Sequence, residues 1–169
     1  MTKKDLRERM KEQRLQLTDE DVRSKSQRII EKIEALPYYA KCRVIGSYVA
    51  FNNEVDLTAL FHPSASFVYP KVVGEDLHFY AGGEMVRSAY GVLEPKGGKA
   101  YDEAIDLLLV PALAISKAGD RIGYGKAFYD RFLERVRPEH VIGVIYDFQE
   151  VEAIGTGDHD QRLDGYVKG

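Results

Sequence analysis

A chain of 169 residues, 44% hydrophobic and 30% charged, is long enough for one domain with a sizeable core, burying roughly 70% of the surface its unfolded form exposes. Its net charge of −3 argues against general nucleic-acid binding, and no apolar run nears the roughly 18–20 residues that span a bilayer. Cys42 is the only cysteine, which excludes an intrachain disulfide and a cysteine metal cluster; the polar start, without a signal-peptide core, adds to the expectation of a cytoplasmic protein with no membrane partner.

The charge is unevenly spread. Residues 1–14 hold six basic groups (Lys3, Lys4, Arg7, Arg9, Lys11, Arg14) against three acids, and residues 147–164 hold six acids against Arg162. A basic start and an acidic end suit a ligand that is itself an anion with a metal. Two solvated faces would read the same way.

Residues 3–17 read as a helix. At 100° per residue Lys3, Arg7 and Arg14 share a stripe about 40° wide, beside an apolar seam of Leu6, Met10 and Leu17. Such a helix can dock on the domain and point three cations along its edge, although an ordinary amphipathic surface helix has the same pattern. Thr18 and Asp21 form a capping box for a second helix, carrying Val22, Ile29, Ile33 and Leu36 and stopping before Pro37.

Arg43 to Ala50 has the β-branched and aromatic content of a strand. The loop Phe51-Asn52-Asn53-Glu54-Val55-Asp56 follows, with Asp56 as N-cap of a short helix over Leu57–Phe61. Glu54 then lies just beyond a strand end, where open α/β sheets bind ligands. A carboxylate there can accept from the amino and ring N–H groups of a heterocycle, or it can be a solvated loop residue. Ala65 to Val72 is the next strand, ended by Pro70 so that Lys71 projects from it. Leu77–Tyr80 adds another, and Gly82-Gly83, Gly91 and Gly97-Gly98 mark loops around Leu93-Glu94-Pro95.

The run Asp106-Leu107-Leu108-Leu109-Val110-Pro111 is the most apolar in the chain. It leads, across Ala118-Gly119-Asp120, to Arg121-Ile122-Gly123-Tyr124-Gly125-Lys126-Ala127-Phe128-Tyr129-Asp130 and a helix carrying Phe128, Phe132, Leu133 and Val136. A glycine-bearing loop between strand and helix offers free N–H groups and the helix dipole to an anion. Lys126 and Arg121 add charge for a phosphate, and Asp130 can hold a cation. The spacing matches neither the dinucleotide fingerprint nor the Walker A loop, and a plain glycine turn capping a helix fits it equally well. Val141 to Tyr146 is a buried strand, and the acidic tail Gly155-Thr156-Gly157-Asp158-His159-Asp160 is turn-like. One histidine without cysteine makes zinc a poor fit there, whereas hard oxygen ligands favour Mg²⁺. With helices first and later strands alternating with helices, a layered α/β domain is expected.

In their shared order these pieces resemble the 5-formyltetrahydrofolate cyclo-ligase (methenyltetrahydrofolate synthetase) family from end to end. The matching segments are Lys3-Lys4-Asp5-Leu6-Arg7 with Arg14, Asn53-Glu54-Val55-Asp56, Val68-Tyr69-Pro70-Lys71, Gly91-Val92-Leu93-Glu94-Pro95, Asp106 to Leu113 and Arg121 to Asp130, followed by Ile142-Gly143-Val144 and His159-Asp160 with Leu163-Asp164. The resemblance implies one three-layer α/β domain over 1–169, with a mixed, mostly parallel sheet, helices on both faces, and the basic helix at about 3–17 docking at an ATP site. It implies ATP- and Mg²⁺-dependent closure of 5-formyltetrahydrofolate to 5,10-methenyltetrahydrofolate, with ADP and phosphate released.

By position it assigns ATP to Lys3, Lys4, Arg7, Arg14, Arg121, Gly123, Tyr124, Gly125, Lys126 and Tyr129, with Lys71 as a further phosphate contact. It assigns the folate to Val49, Glu54, Tyr124, Gly125, Lys126, Ala127 and Phe128, and Mg²⁺ to Asp130 and Asp160. Lys126 and Arg121 are the expected catalytic cations. The partners implied are small molecules, ATP and a reduced formylfolate, and a monomer is expected. Two departures stand out: Ala127 occupies a position where members commonly carry glycine, and Gly155-Thr156-Gly157 replaces the proline usual ahead of His159-Asp160. Three other readings remain at this point: a folate- or nucleotide-binding relative without catalysis, an ATP-dependent enzyme acting on another amide or acid, and a nucleic-acid binder using the basic helix, which the acidic tail disfavours.

Overall fold

A computed structural model describes residues 1–169. Two helices open the chain, α1 (Lys3–Leu15) and α2 (Asp19–Glu34). Each starts at a threonine whose hydroxyl accepts from the N3 amide while the N3 aspartate accepts in return, Thr2 with Asp5 and Thr18 with Asp21. The strands follow: β1 (Val44–Gly46), β2 (Ser66–Val73), β3 (Asp76–Ala81), β4 (Met85–Arg87), β5 (Leu93–Pro95), β6 (Leu107–Pro111), β7 (Ala114–Ser116) and β8 (Arg121–Ile122). Helix α3 (Phe128–Arg135), β9 (His140–Ile145), β10 (Glu150–Val151) and β11 (Gly165–Lys168) complete the order.

Six strands make the central sheet in the order β11-β9-β6-β1-β2-β3. All its pairings are parallel except β2 with β3. The unbroken apolar run of β6 follows from burial on both faces. Leu107 and Leu109 pack with Ile142 and Val144 of β9 beneath Ile29, Ile30 and Ile33 of α2. Leu108 and Val110 turn to the other face, with Val141 and Ile145, beneath Phe132 and Leu133 of α3. Helix, sheet and helix are the three layers. The sheet admits no side chain at Gly143, where a Cβ would stand 2.3 Å from Ile115 Cδ1.

A smaller sheet, β10-β7-β8, seats α1 through Met10, which is packed with Leu113, Ala114 and Ile122. Leu6 and Met10 of the apolar seam read from the sequence make this contact, whereas Leu17 packs against the cluster beneath α2. The stretch between Pro111 and Arg121, read as a linker closed by Ala118-Gly119-Asp120, instead forms with Arg121 and Ile122 a hairpin turning at Gly119, whose φ of 92° is left-handed.

Four local expectations need correction. β1 stops at Gly46 instead of running to Ala50, because the chain leaves the sheet and turns toward a cavity lined by Tyr48 and Val49. No helix forms at Leu57–Phe61: Asp56 Oδ1 accepts from the Thr58 amide and hydroxyl, closing a turn, and Phe61 N–H donates to Glu34 instead. Pro70 does not end β2. It lies past the last residue paired to β1 and opposite Phe79, whose own N–H and C=O go to Asp102 and Tyr101. Its missing donor therefore costs the ladder nothing. Leu93–Pro95, read as loop, pairs with Met85–Arg87 as a separate hairpin. Of the helices expected among the later strands, α3 alone forms.

Candidate active site

The sequence 121–130 builds the centre of the site. β8 ends at Ile122, and α3 starts at Phe128 behind an Ala127 held at φ 57°, ψ 25°. Between them the amides of Gly123 to Ala127 donate no hydrogen bond within the chain. A run of unsatisfied donors at a helix start is a receptor for negative charge. This loop borders a cavity of about 560 Å³.

Arg121 Nε donates to the Pro111 carbonyl at 2.8 Å, and its guanidinium lies 4.9 Å from the centre of the Tyr129 ring. Burial acts to lower its pKa, while Tyr129, Asp130 and Glu54 act to raise it. Lys126 is exposed on the cavity rim with no side-chain partner.

Helix α1 runs alongside. Lys3 Nζ donates to Asp160 Oδ2 at 2.9 Å, and Arg7 Nε to the Gly123 carbonyl at 2.9 Å. Arg14 Nε donates to the Asn52 carbonyl at 2.8 Å, and its Nη2 to the Tyr124 hydroxyl. The three cations of the sequence stripe thus lie on one side of the helix, spread over about 16 Å at 1.5 Å per residue, but only Lys3 and Arg7 reach the cavity. At one end stands Asp160, at the other Glu54.

Glu54 is 7% exposed. Its Oε1 accepts from Phe51 N–H at 2.8 Å, and its other oxygen takes no protein hydrogen bond. Burial pushes its carboxyl up to about 7, against the opposing effects of Arg14, the Phe51 amide and Arg121.

Asp130 Oδ1 accepts from Gln161 N–H at 3.0 Å. Asp160 Oδ2 also accepts from Gly157 N–H at 2.8 Å; that bond first, then Lys3, holds its carboxyl below the ordinary value. Each aspartate keeps one oxygen free beside the cavity. No three His, Cys, Asp or Glu side chains gather as a metal-holding group, and His159 pairs with Glu134 instead of its neighbouring aspartates. Two carboxylates with a free oxygen each match the little that Mg²⁺ asks of a protein when phosphates supply the rest.

The cavity is bordered by Lys3, Arg7, Val49, Glu54, Asp160 and every residue from Arg121 to Asp130. It is not bordered by Lys4, Arg14 or Lys71. Lys4 is exposed, Arg14 is buried behind Tyr124, and Lys71 is paired with Glu94 at 3.1 Å. The β4–β5 hairpin, absent from the sequence reading, supplies Ser88, Tyr90, Val92 and Leu93, and Tyr90 packs edge-on against Phe128 at 5.9 Å. Its strands are only three residues each, so the double glycines that frame them read as loops.

A family model described as the 5-formyltetrahydrofolate cyclo-ligase family matches residues 1–168. The chain is 28% identical to the 5-formyltetrahydrofolate cyclo-ligase of Mycoplasma pneumoniae over 89% of this chain and 88% of that one. Among solved structures it resembles the Aquifex aeolicus 5,10-methenyltetrahydrofolate synthetase with a TM-score of 0.88, at 32% identity over 99% of this chain and 90% of that one. The corresponding values for the Mycoplasma pneumoniae 5,10-methenyltetrahydrofolate synthetase are 0.77, 25%, 99% and 98%. A family model that spans residues 1–168 and a fold shared over nearly the whole chain leave one assignment: the chain belongs to the 5-formyltetrahydrofolate cyclo-ligase family and is an enzyme of the ligase class.

Proposed function

We propose that the chain closes 5-formyltetrahydrofolate to 5,10-methenyltetrahydrofolate at the expense of ATP, with Mg²⁺, as a single domain whose first helix docks at the ATP site. The reading rests above all on the free amides of Gly123–Ala127 bordering the same cavity as Lys3, Arg7, Lys126, Asp130 and Asp160. A triphosphate meets donors, cations and metal-binding oxygens there, and Glu54 offers a buried acceptor to a pterin ring.

A formamide oxygen is too poor a leaving group for the neighbouring anilino nitrogen to expel. Transfer of the γ-phosphoryl to that oxygen breaks its bond to the ADP oxygen and leaves an iminium phosphate. The anilino nitrogen then bonds to the formyl carbon and loses its proton, and the carbon–oxygen bond breaks to release phosphate. Phosphoryl transfer needs position and charge neutralisation more than covalent help, which is the office of Lys126, Arg121 and the loop amides. Asp130 and Asp160 would hold Mg²⁺, which supplies countercharge to the phosphates. Ring closure within one bound molecule gains further from proximity.

No protein nucleophile is required. Cys42 is buried, and burial pushes its thiol up to about 11. No helix is long and apolar enough to cross a membrane. The test is the near-ultraviolet absorbance of methenyltetrahydrofolate, followed with and without ATP and Mg²⁺. Product that needs both supports the reading, and tight folate binding without product would replace it with a binding role.

A further inference from the structure

Arg14 is the least expected side chain near the site. It is 2% exposed, yet it does not border the cavity. Burying a guanidinium is costly unless its donors are met, and the two acceptors that meet them here are both neutral oxygens. Nε donates to the Asn52 carbonyl, and Nη2 to the hydroxyl of Tyr124. The loop answers in kind: Asn53 Nδ2 donates to the carbonyls of Arg14 at 3.0 Å and Leu17 at 3.1 Å.

This reciprocal clasp holds a turn that does not form readily by itself. Asn52 and Asn53 both have left-handed backbones, φ 49° and 61°, a conformation that asparagine adopts more readily than most residues but ordinarily one residue at a time, not two in succession. Tyr146 adds a third tie, its hydroxyl donating to the Asn53 carbonyl at 2.9 Å. The next residue is Glu54, whose carboxylate is fixed by the same turn through the Phe51 amide.

We infer that Arg14 is a positioning residue for the folate half of the site: it locks the Asn52–Asn53 turn that aims Glu54 and, through its hydroxyl, the Tyr124 ring, and it makes no contact with nucleotide. The inference rests on the proposed reaction for its kinetic arm and on the fold alone for its structural arm. It separates two jobs on one helix, Lys3 and Arg7 toward the phosphates and Arg14 toward the heterocycle.

The kinetic test compares the wild type with Arg14→Ala, Arg14→Lys and Tyr124→Phe. In Arg14→Ala the KM for 5-formyltetrahydrofolate should rise about tenfold or more while that for ATP stays within about twofold. Arg14→Lys, which keeps a donor to Asn52 but not the fork, should recover part of the loss. Adding Tyr124→Phe to Arg14→Ala should cost less than the two separate effects combined, because both remove one shared bond. Equal rises in both KM values, or full additivity, would overturn the assignment. If Arg14→Ala does not fold, Arg14→Lys and Tyr124→Phe carry the same comparison.

The structural test is hydrogen exchange in the ligand-free protein, where the Phe51 and Glu54 amides should exchange at least about tenfold faster in Arg14→Lys or Arg14→Ala. Unchanged exchange there overturns the positioning role even if the variant is impaired. A wild type that makes no methenyl product but shows the expected exchange overturns the proposed reaction and leaves Arg14 its place.

Discussion

The Lys3 ammonium stands 2.9 Å from the Asp160 carboxylate, joining the first turn of α1 to a turn near the other end of the chain. Both side chains are about a third exposed, 39% and 31%, so water screens the pair and its worth to stability is under about 1 kcal/mol. Lys3→Ala should therefore leave the urea midpoint almost unchanged. Its effect should fall on the KM for ATP, raised several-fold, and substrate-specific kinetics beside an unfolding curve separate the two.

Lys126 offers a cleaner measure of catalysis. Its side chain has no partner to lose, so Lys126→Ala should fold normally. If its ammonium meets charge that develops on the moving phosphoryl, turnover falls by about 10²–10³. A well-folded variant with near-normal turnover would remove Lys126 from that role.

Ala127 carries strain. At φ 57° its methyl sits in the left-handed region, which costs an alanine about 1–2 kcal/mol. Part of that gain is lost to the greater freedom of an unfolded glycine, so Ala127→Gly should stabilise the protein by about 1 kcal/mol. Thermal and urea unfolding of the two proteins measure the difference. A destabilised glycine variant would mean that the methyl makes contacts worth more than the strain.

Glu54 gives stability a pH dependence of a particular sign. Its carboxyl sits at about 7 in the fold and near 4.5 when free. As pH rises from 4.5 to 7 the unfolded chain gives up a proton that the fold retains, so stability is lost across that window and not below it. The loss is about 3 kcal/mol at 1.36 kcal/mol per pKa unit, as an order of magnitude. Glu54→Gln, whose oxygen can still accept from Phe51, should be the more stable protein at pH 8 and lose that advantage by about pH 4. It should also bind formylfolate more weakly. Urea unfolding at the two pH values, with a folate titration, checks both.

Much of this was legible where a local pattern has one physical solution. Thr18 with Asp21 marked a helix start, and Leu107 to Val110 marked a strand covered on both sides. The stripe of Lys3, Arg7 and Arg14 allowed a docked or a merely solvated helix, which the seating of Met10 decides, and the glycine loop allowed an anion site or a plain helix cap. What escaped depends on distant partners. Pro70 is harmless within its strand only because β1 has already ended beside it. The β4–β5 hairpin is too short to announce itself and closes over the cavity by packing Tyr90 on Phe128. Arg14 belongs to the phosphate stripe by periodicity, yet its bonds go to residues 52 and 124; only the tertiary fold divides that stripe between two duties.

The strand order has a consequence for how the protein is made. Ile45 must wait for Leu107, and Leu109 for Ile142, and pairings between such remote positions slow folding. A ribosome releases the helix bearing Lys3 and Arg7 first, but its seat of Leu113, Ala114 and Ile122 emerges long afterwards. The nascent chain thus trails an uncovered amphipathic segment through most of its synthesis, the interval in which aggregation is the chief hazard.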